Sequence, residues 1–161
     1  MCSSDLAKAW MQGWLFAVTV SLGALFFVII QHLTRAGWSV VVRRPAEAIA
    51  SNLQWLWLGF LPFAWMWFNG HLDTLFPWAN LDHLREVDPA EAANVAKKAA
   101  FLNPNFFMIR AVVYLLVWRT LAGFFCGNSL AQDADRSVAR SERMTKWAGP
   151  AAILFGVTVT F

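Results

Sequence analysis

From Ala9 to Thr34 the chain carries no Asp, Glu, Lys or Arg. A run of this length constrains the fold more than any other feature of the sequence. A hydrocarbon core of ~30 Å is crossed by about 20 helical residues at ~1.5 Å each. Inside that core every backbone N–H and C=O must find its partner within the segment. The run therefore predicts a transmembrane helix over Met11 to Leu33.

The pattern recurs. Ala48 to Leu72 is likewise free of charge, which predicts a second helix over Pro45 to Phe68. Pro45 suits a first helical turn, and Glu47 suits the positive end of the helix dipole. Pro62, three residues after Gly59, predicts a kink in mid-span. Asn103-Pro104 reads as a cap followed by proline, opening a third helix over Pro104 to Gly127. A fourth starts at Trp147-Ala148-Gly149-Pro150 and reaches Phe161, short of the ~20 residues a crossing needs. The expected fold is all-α: a polytopic transmembrane helix bundle with three full helices and a truncated fourth, 147–161. Residues 7–161 would form the N-terminal part of a larger membrane domain. Composition agrees, with 58% hydrophobic and only 14% charged residues, 14 Phe, 10 Trp and 1 Tyr. A soluble domain is nearer half apolar and a quarter charged.

The net charge of +3 is spread over short polar segments. No basic stripe or patch marks a nucleic-acid partner. Arg35, Arg43 and Arg44 follow the first span, and Arg136, Arg140, Arg143 and Lys146 follow the third. The segment Asn69 to Asn103 mixes Arg85, Lys97 and Lys98 with Asp73, Asp82, Glu86, Asp88 and Glu91. The positive-inside rule then makes the first and third loops cytoplasmic and the second external. Within that external segment, Asp88-Pro89-Ala90-Glu91 predicts an N-cap and a short Ala-rich helix to about Phe101. Trp10, Trp14, Trp38, Trp78 and Trp147 fall near the expected membrane–water boundaries. Trp55, Trp57, Trp65 and Trp67 lie along the second span, as packing or lipid contacts.

Two cysteines, Cys2 and Cys126, give no disulfide framework. Cys126 lies in an apolar run and reads as a small buried hydrophobe. Met1-Cys2-Ser3-Ser4-Asp5-Leu6 is neither a signal peptide nor a helix cap. It fits the codons GTG TGC TCT TCC GAT CTN, the tail of a common short-read sequencing adapter. The expectation is that residues 1–6 are translated adapter and that natural sequence starts near Ala7.

Ionisable residues inside a span are costly and usually face protein or water. Arg110 and Arg119 are nine residues apart on the third span. That is about 900° of helical rotation, which puts them on opposite faces. Arg110, near the outer end, can snorkel. Arg119 lies deeper and calls for a buried partner, an anionic headgroup or a polar cavity. His32, beside Gln31, Thr34 and Arg35, reads either as a proton relay near neutral pH or as an interfacial residue bonded to a carbonyl. Glu47 reads either as a local ion pair with Arg43 and Arg44 or as a proton uptake point. His71 and Asp73, just past the second span, suit a partner contact, a channel mouth or plain loop solvation. Several signatures are missing: the sequence has no Gly-rich phosphate loop, no HExxH and no spaced cysteine cluster, and nothing in it reads as a self-contained active site.

One stretch is distinctive: Gln31-His32-Leu33-Thr34-Arg35-Ala36-Gly37-Trp38-Ser39-Val40-Val41-Val42-Arg43-Arg44-Pro45-Ala46-Glu47. It resembles the segment after an early helix in the ActF subunit of bacterial alternative complex III, often labelled the second quinone-binding subunit. Phe101 to Arg110, Ala111 to Trp118, Ser129 to Asp133 and Ala148 to Phe161 are similar to the family in the same order. The resemblance implies a fragment of a polytopic subunit with about ten helices, related to NrfD and polysulfide-reductase membrane subunits. It implies a place in a quinol:cytochrome c oxidoreductase of the bacterial inner membrane. Partner subunits there carry iron–sulfur clusters and c-type haems, and this chain itself holds none. Its role would be scaffold, proton path or quinol contact, with His32, Arg35, Glu47 and Arg119 as candidates; His71, Asp73 and Arg110 would serve a partner or channel mouth. A transporter with Arg119 coordinating an anion, and a purely structural subunit, are the alternatives.

Overall fold

A computed structural model describes residues 3–36, 40–99, 101–135 and 137–161. Cys2, the boundary residue Trp38 and the loop charge Arg136 lie outside the described residues. The described residues are helical, with no strand among them. Seven α-helices follow in order: α1 Ser3–Leu33, α2 Val40–Ser51, α3 Leu61–Phe68, α4 Leu81–Val87, α5 Pro89–Lys97, α6 Pro104–Asp135 and α7 Val138–Thr160.

Two segments, Ser4–Leu33 and Pro104–Asp133, are long and apolar enough to cross a membrane. Only 28% and 22% of their most apolar windows is buried within the chain. The core helix of a water-soluble protein would be mostly covered instead. Large apolar side chains stand exposed along both, including Phe16 at 73% and Ile109 at 62%. Apolar surface on this scale calls for a covering.

The second expected span does not form as one helix. Pro45 sits inside α2, which begins five residues earlier. After Ser51 the backbone tightens into 3-10 turns at Asn52–Gln54 and Leu56–Phe60, and α3 starts afresh at Leu61. Pro62 occupies the first turn of α3. Its ring donates no hydrogen bond and crowds the carbonyl four residues back, so the regular ladder cannot continue through Leu58. What reads as a kink in the sequence is a break. α6 runs eight residues past Gly127, and α7 begins at Val138 rather than near Trp147. Arg140, Arg143 and Lys146 therefore lie on a helix.

By packing, the chain divides into two compact units. The first takes Met1–Trp14 and Leu58–Val113. Aromatic side chains hold it. Trp14 packs on Phe60 and Phe63 at centroid distances of 5.8 and 5.3 Å, and the Trp10 indole donates to the Gly59 carbonyl at 3.0 Å. A Cβ on Gly59 would come within 2.3 Å of the Trp14 ring, so this close approach requires glycine. α3 ends in a Schellman turn. Gly70 adopts φ +71° and donates to Trp67, while His71 donates to Met66. Asp88 caps α5 through bonds from the Ala90 and Glu91 amides, both 3.0 Å, as its sequence predicts. Asn103 likewise accepts from the Asn105 amide at the start of α6.

The second unit takes Leu15–Trp57 and Tyr114–Phe161. Its core joins α1, α2, α6 and α7 through Leu25, Val28, Ile29, Ala50, Phe125, Met144 and Phe155. Ala50, Ala122 and Ala148 are fully covered, and such small residues let helix backbones approach closely. Phe26 stacks on Phe155 at 5.6 Å. The Trp118 indole donates to the Thr158 hydroxyl at 3.0 Å, tying α6 to α7.

Candidate functional site

The second unit contains a buried carboxylate. Arg43, Arg44 and Glu47 share one face of α2 by their i,i+4 and i,i+3 spacing. Cys126, Ser129 and Asp133 share one face of α6 by the same periodicity. The two faces meet around Glu47, which is 5% exposed. Its Oε1 pairs with Arg43 Nε at 3.3 Å. Its Oε2 accepts from Ser129 Oγ at 2.7 Å and from Arg44 Nη1 at 3.3 Å. Arg44 Nη1 also donates to Ser129 Oγ at 3.2 Å, and Nη2 forms an ion pair with Asp133. The Cys126 thiol donates to the Glu47 backbone carbonyl at 3.3 Å.

Two cations and two carboxylates thus form one compensated network. A charge taken from water is tolerated when it is paired. Here Glu47 Oε2 is hydrogen-bonded, whereas Oε1 faces Arg43 Nε as an ion pair, with no hydrogen bond at either atom among the described residues. The network grades outward. Glu47 is almost wholly covered, whereas the side chains of Arg44 and Asp133 are 41% and 56% exposed. Chemically, it can hold a negative charge at depth and tie α2 to α6.

His32 lies in the same unit. It is buried, and its ring stacks on Phe125 at 5.5 Å, next to Cys126 in the chain. Among the described residues, His32 Nε2 and the neighbouring Gln31 Oε1 are buried without a hydrogen-bond partner. The carbonyl partner considered for an interfacial His32 is therefore not found at Nε2. Arg35 ends α1 in the left-handed region, φ 51°, with Ala36 donating back to Gln31 at 3.2 Å.

The remaining candidates stand apart. Arg119 is exposed and lies over the Trp57 ring at 5.6 Å. It precedes Cys126 by two turns, about 10 Å along α6, so it belongs to no common site with Glu47. In the first unit Arg110 is wrapped by aromatic rings, 3.9 Å from the Phe101 centroid and 5.5 Å from that of Phe106. His71 is exposed and borders an apolar groove of about 800 Å³ lined also by Trp10, Phe63, Trp65 and Met66. Asp73 sits in the 3-10 turn Leu72–Thr74. Among the described residues no three His, Cys, Asp or Glu side chains gather as a metal site would require.

Sequence reasoning found Arg43, Arg44 and Glu47 but not Ser129, Asp133 or the bond from Cys126. Their signal was faint: a serine and an aspartate spaced i,i+4 at the polar end of an apolar helix. The fold and this cluster together define an all-helical protein with two helices able to cross a membrane. No protein-family model and no curated protein matches the chain.

Proposed function

We propose that this chain is part of a multi-pass membrane subunit in a quinol-oxidising respiratory complex of the bacterial inner membrane. In this reading it is a scaffold in a polytopic bundle, and the Glu47 network is its proton-responsive element. The observation that carries the proposal is the buried Glu47 carboxylate, held between Arg43, Arg44 and Ser129 with His32 in the same unit. It falls in the stretch Gln31 to Glu47 that resembles the ActF subunit. An ionisable group kept at depth beside apolar spans is costly, and such groups commonly mark ion or proton pathways. Haem c and iron–sulfur clusters would reside in partner subunits, and quinol would meet this chain or its neighbour.

The test is affinity purification of the tagged chain from native membranes in mild detergent. Co-purifying c-type haem absorbance and iron–sulfur resonances would support the reading. Recovery without either would overturn it. Glu47→Gln in that complex then separates proton work from scaffold. A loss of proton translocation with quinol oxidation retained supports the first, and unchanged translocation leaves the scaffold alone.

A further inference from the structure

A second feature of the second unit points to a ligand of different chemistry. Between α6 and α7 lies an apolar cleft of about 200 Å³, lined by Leu121, Phe124, Trp147, Pro150, Ala151 and Leu154. The α7 residues among them recur every three or four positions, forming one stripe about 10 Å long. Followed one turn toward the start of α7, the same stripe changes character. Arg143 stands four residues before Trp147, and Lys146 four before Pro150. The Arg143 guanidinium lies 5.7 Å from the centroid of Phe124, which lines the cleft, so the positive charge sits beside it. Both cations are exposed, and neither pairs with a carboxylate among the described residues. Glu142 is the lone acidic residue on α7, against three basic ones. Trp147, 54% exposed, stands where the stripe turns from charged to apolar, as interfacial tryptophans do.

We propose that this cleft seats an acyl chain of an anionic phospholipid, with Arg143 and Lys146 holding its phosphate. The volume is below the ~300–1,000 Å³ that encloses a compact ligand, and the open, elongated lining suits part of a chain. Basic pockets between transmembrane helices bind anionic headgroups in this way. The proposal rests on the membrane reading of the fold and not on the respiratory assignment.

The full chain, purified in non-ionic detergent, is titrated with phosphatidylglycerol and with phosphatidylcholine of the same acyl chains. Bound lipid is counted by native mass spectrometry. We expect one phosphatidylglycerol retained at about tenfold lower concentration than phosphatidylcholine. Arg143→Gln combined with Lys146→Gln should abolish that preference. Leu154→Trp, at a half-exposed position on the cleft wall, should weaken both lipids. Equal retention of the two lipids by the unmodified chain overturns the proposal. So does phosphatidylglycerol binding that Leu154→Trp leaves intact and glycerol phosphate displaces, because the headgroup alone would then be bound. Carbonate extraction of the expressing cells separates the two levels. A chain that stays with the membrane yet retains no phosphatidylglycerol sinks only the lipid site. A chain released to the soluble fraction sinks the membrane reading and the lipid site with it.

Discussion

The two units hold their helices together by different means. The first takes the starts of α1 and α6 and the short helices and turns between Leu58 and Pro104, with side-chain caps on α4 and α5. It is fastened by rings: Trp14 on Phe60 and Phe63, and Phe76, Trp78 and Phe107 within 5.3 to 5.6 Å of one another. The second is assembled from long helices, closely packed at alanines and pinned by the Arg43–Arg44–Glu47–Ser129–Asp133 network. Ring packing tolerates irregular backbone, because large apolar faces meet over a range of tilts. Charge compensation does not, since each donor must reach its oxygen. The first unit should therefore lose stability in small local steps, and the second in one large one.

The largest expected effect lies in the second unit. Glu47→Ala leaves Arg43 and Arg44 without their buried counter-charge, and breaking a buried pair costs about 3–5 kcal/mol. The partial exposure of Arg44 places the expected loss at the lower end. Thermal unfolding in detergent reads it, and a variant as stable as the parent would deny the network its anchoring role. Next comes Gly59→Ala in the first unit. Its Cβ collides with the Trp14 ring, and such overpacking costs about 1–3 kcal/mol. Adding Trp14→Leu should recover part of the loss, and failure to do so would place the strain elsewhere. Asp88→Ala removes the α5 cap for about 1 kcal/mol. Hydrogen exchange should quicken over Pro89–Lys97 while the second unit stays protected; faster exchange in both would erase the contrast. The smallest effect has the opposite sign. Arg35 holds a left-handed conformation that glycine adopts freely. Arg35→Gly should stabilise by roughly 0.5 kcal/mol, seen as a slight rise in melting temperature, and a fall would give the Arg35 side chain a role of its own.

The features legible in the sequence were those written locally. The uncharged stretch gave α1 from Met11 to Leu33 but not its start, which lies at Ser3 and carries Asp5 and Lys8. Asn103-Pro104 opened α6, and Asp88-Pro89 opened α5. The i,i+3 and i,i+4 spacing of Arg43, Arg44 and Glu47 announced their pairing. The break between α2 and α3 was half legible, because Gly59 and Pro62 were visible as breakers. Their combined effect depends on the Trp14 ring, which demands glycine from the far side of a contact 45 residues distant. The outer half of the network was hidden for the same reason. Ser129 and Asp133 meet Glu47 and Arg44 across 82 and 89 residues, and no local period encodes that meeting. Burial of His32 was equally out of reach, since Phe125, which stacks on its ring, comes from α6.

The outward grading of the Glu47 network has a consequence for ionic strength. Mobile ions screen exposed charges within about 8–10 Å at physiological salt and reach covered ones far less. The network is therefore two devices in series. Rising salt loosens the Arg44–Asp133 pair, because dissolved chloride and sodium can substitute for either partner. The Arg43–Glu47–Ser129 pairing beneath keeps its hold. Salt thus loosens the outer tie between α6 and α2 while leaving α2 docked, and the Gln132–Ser141 hydrogen bond, 2.8 Å, still holds that end of α6 to α7.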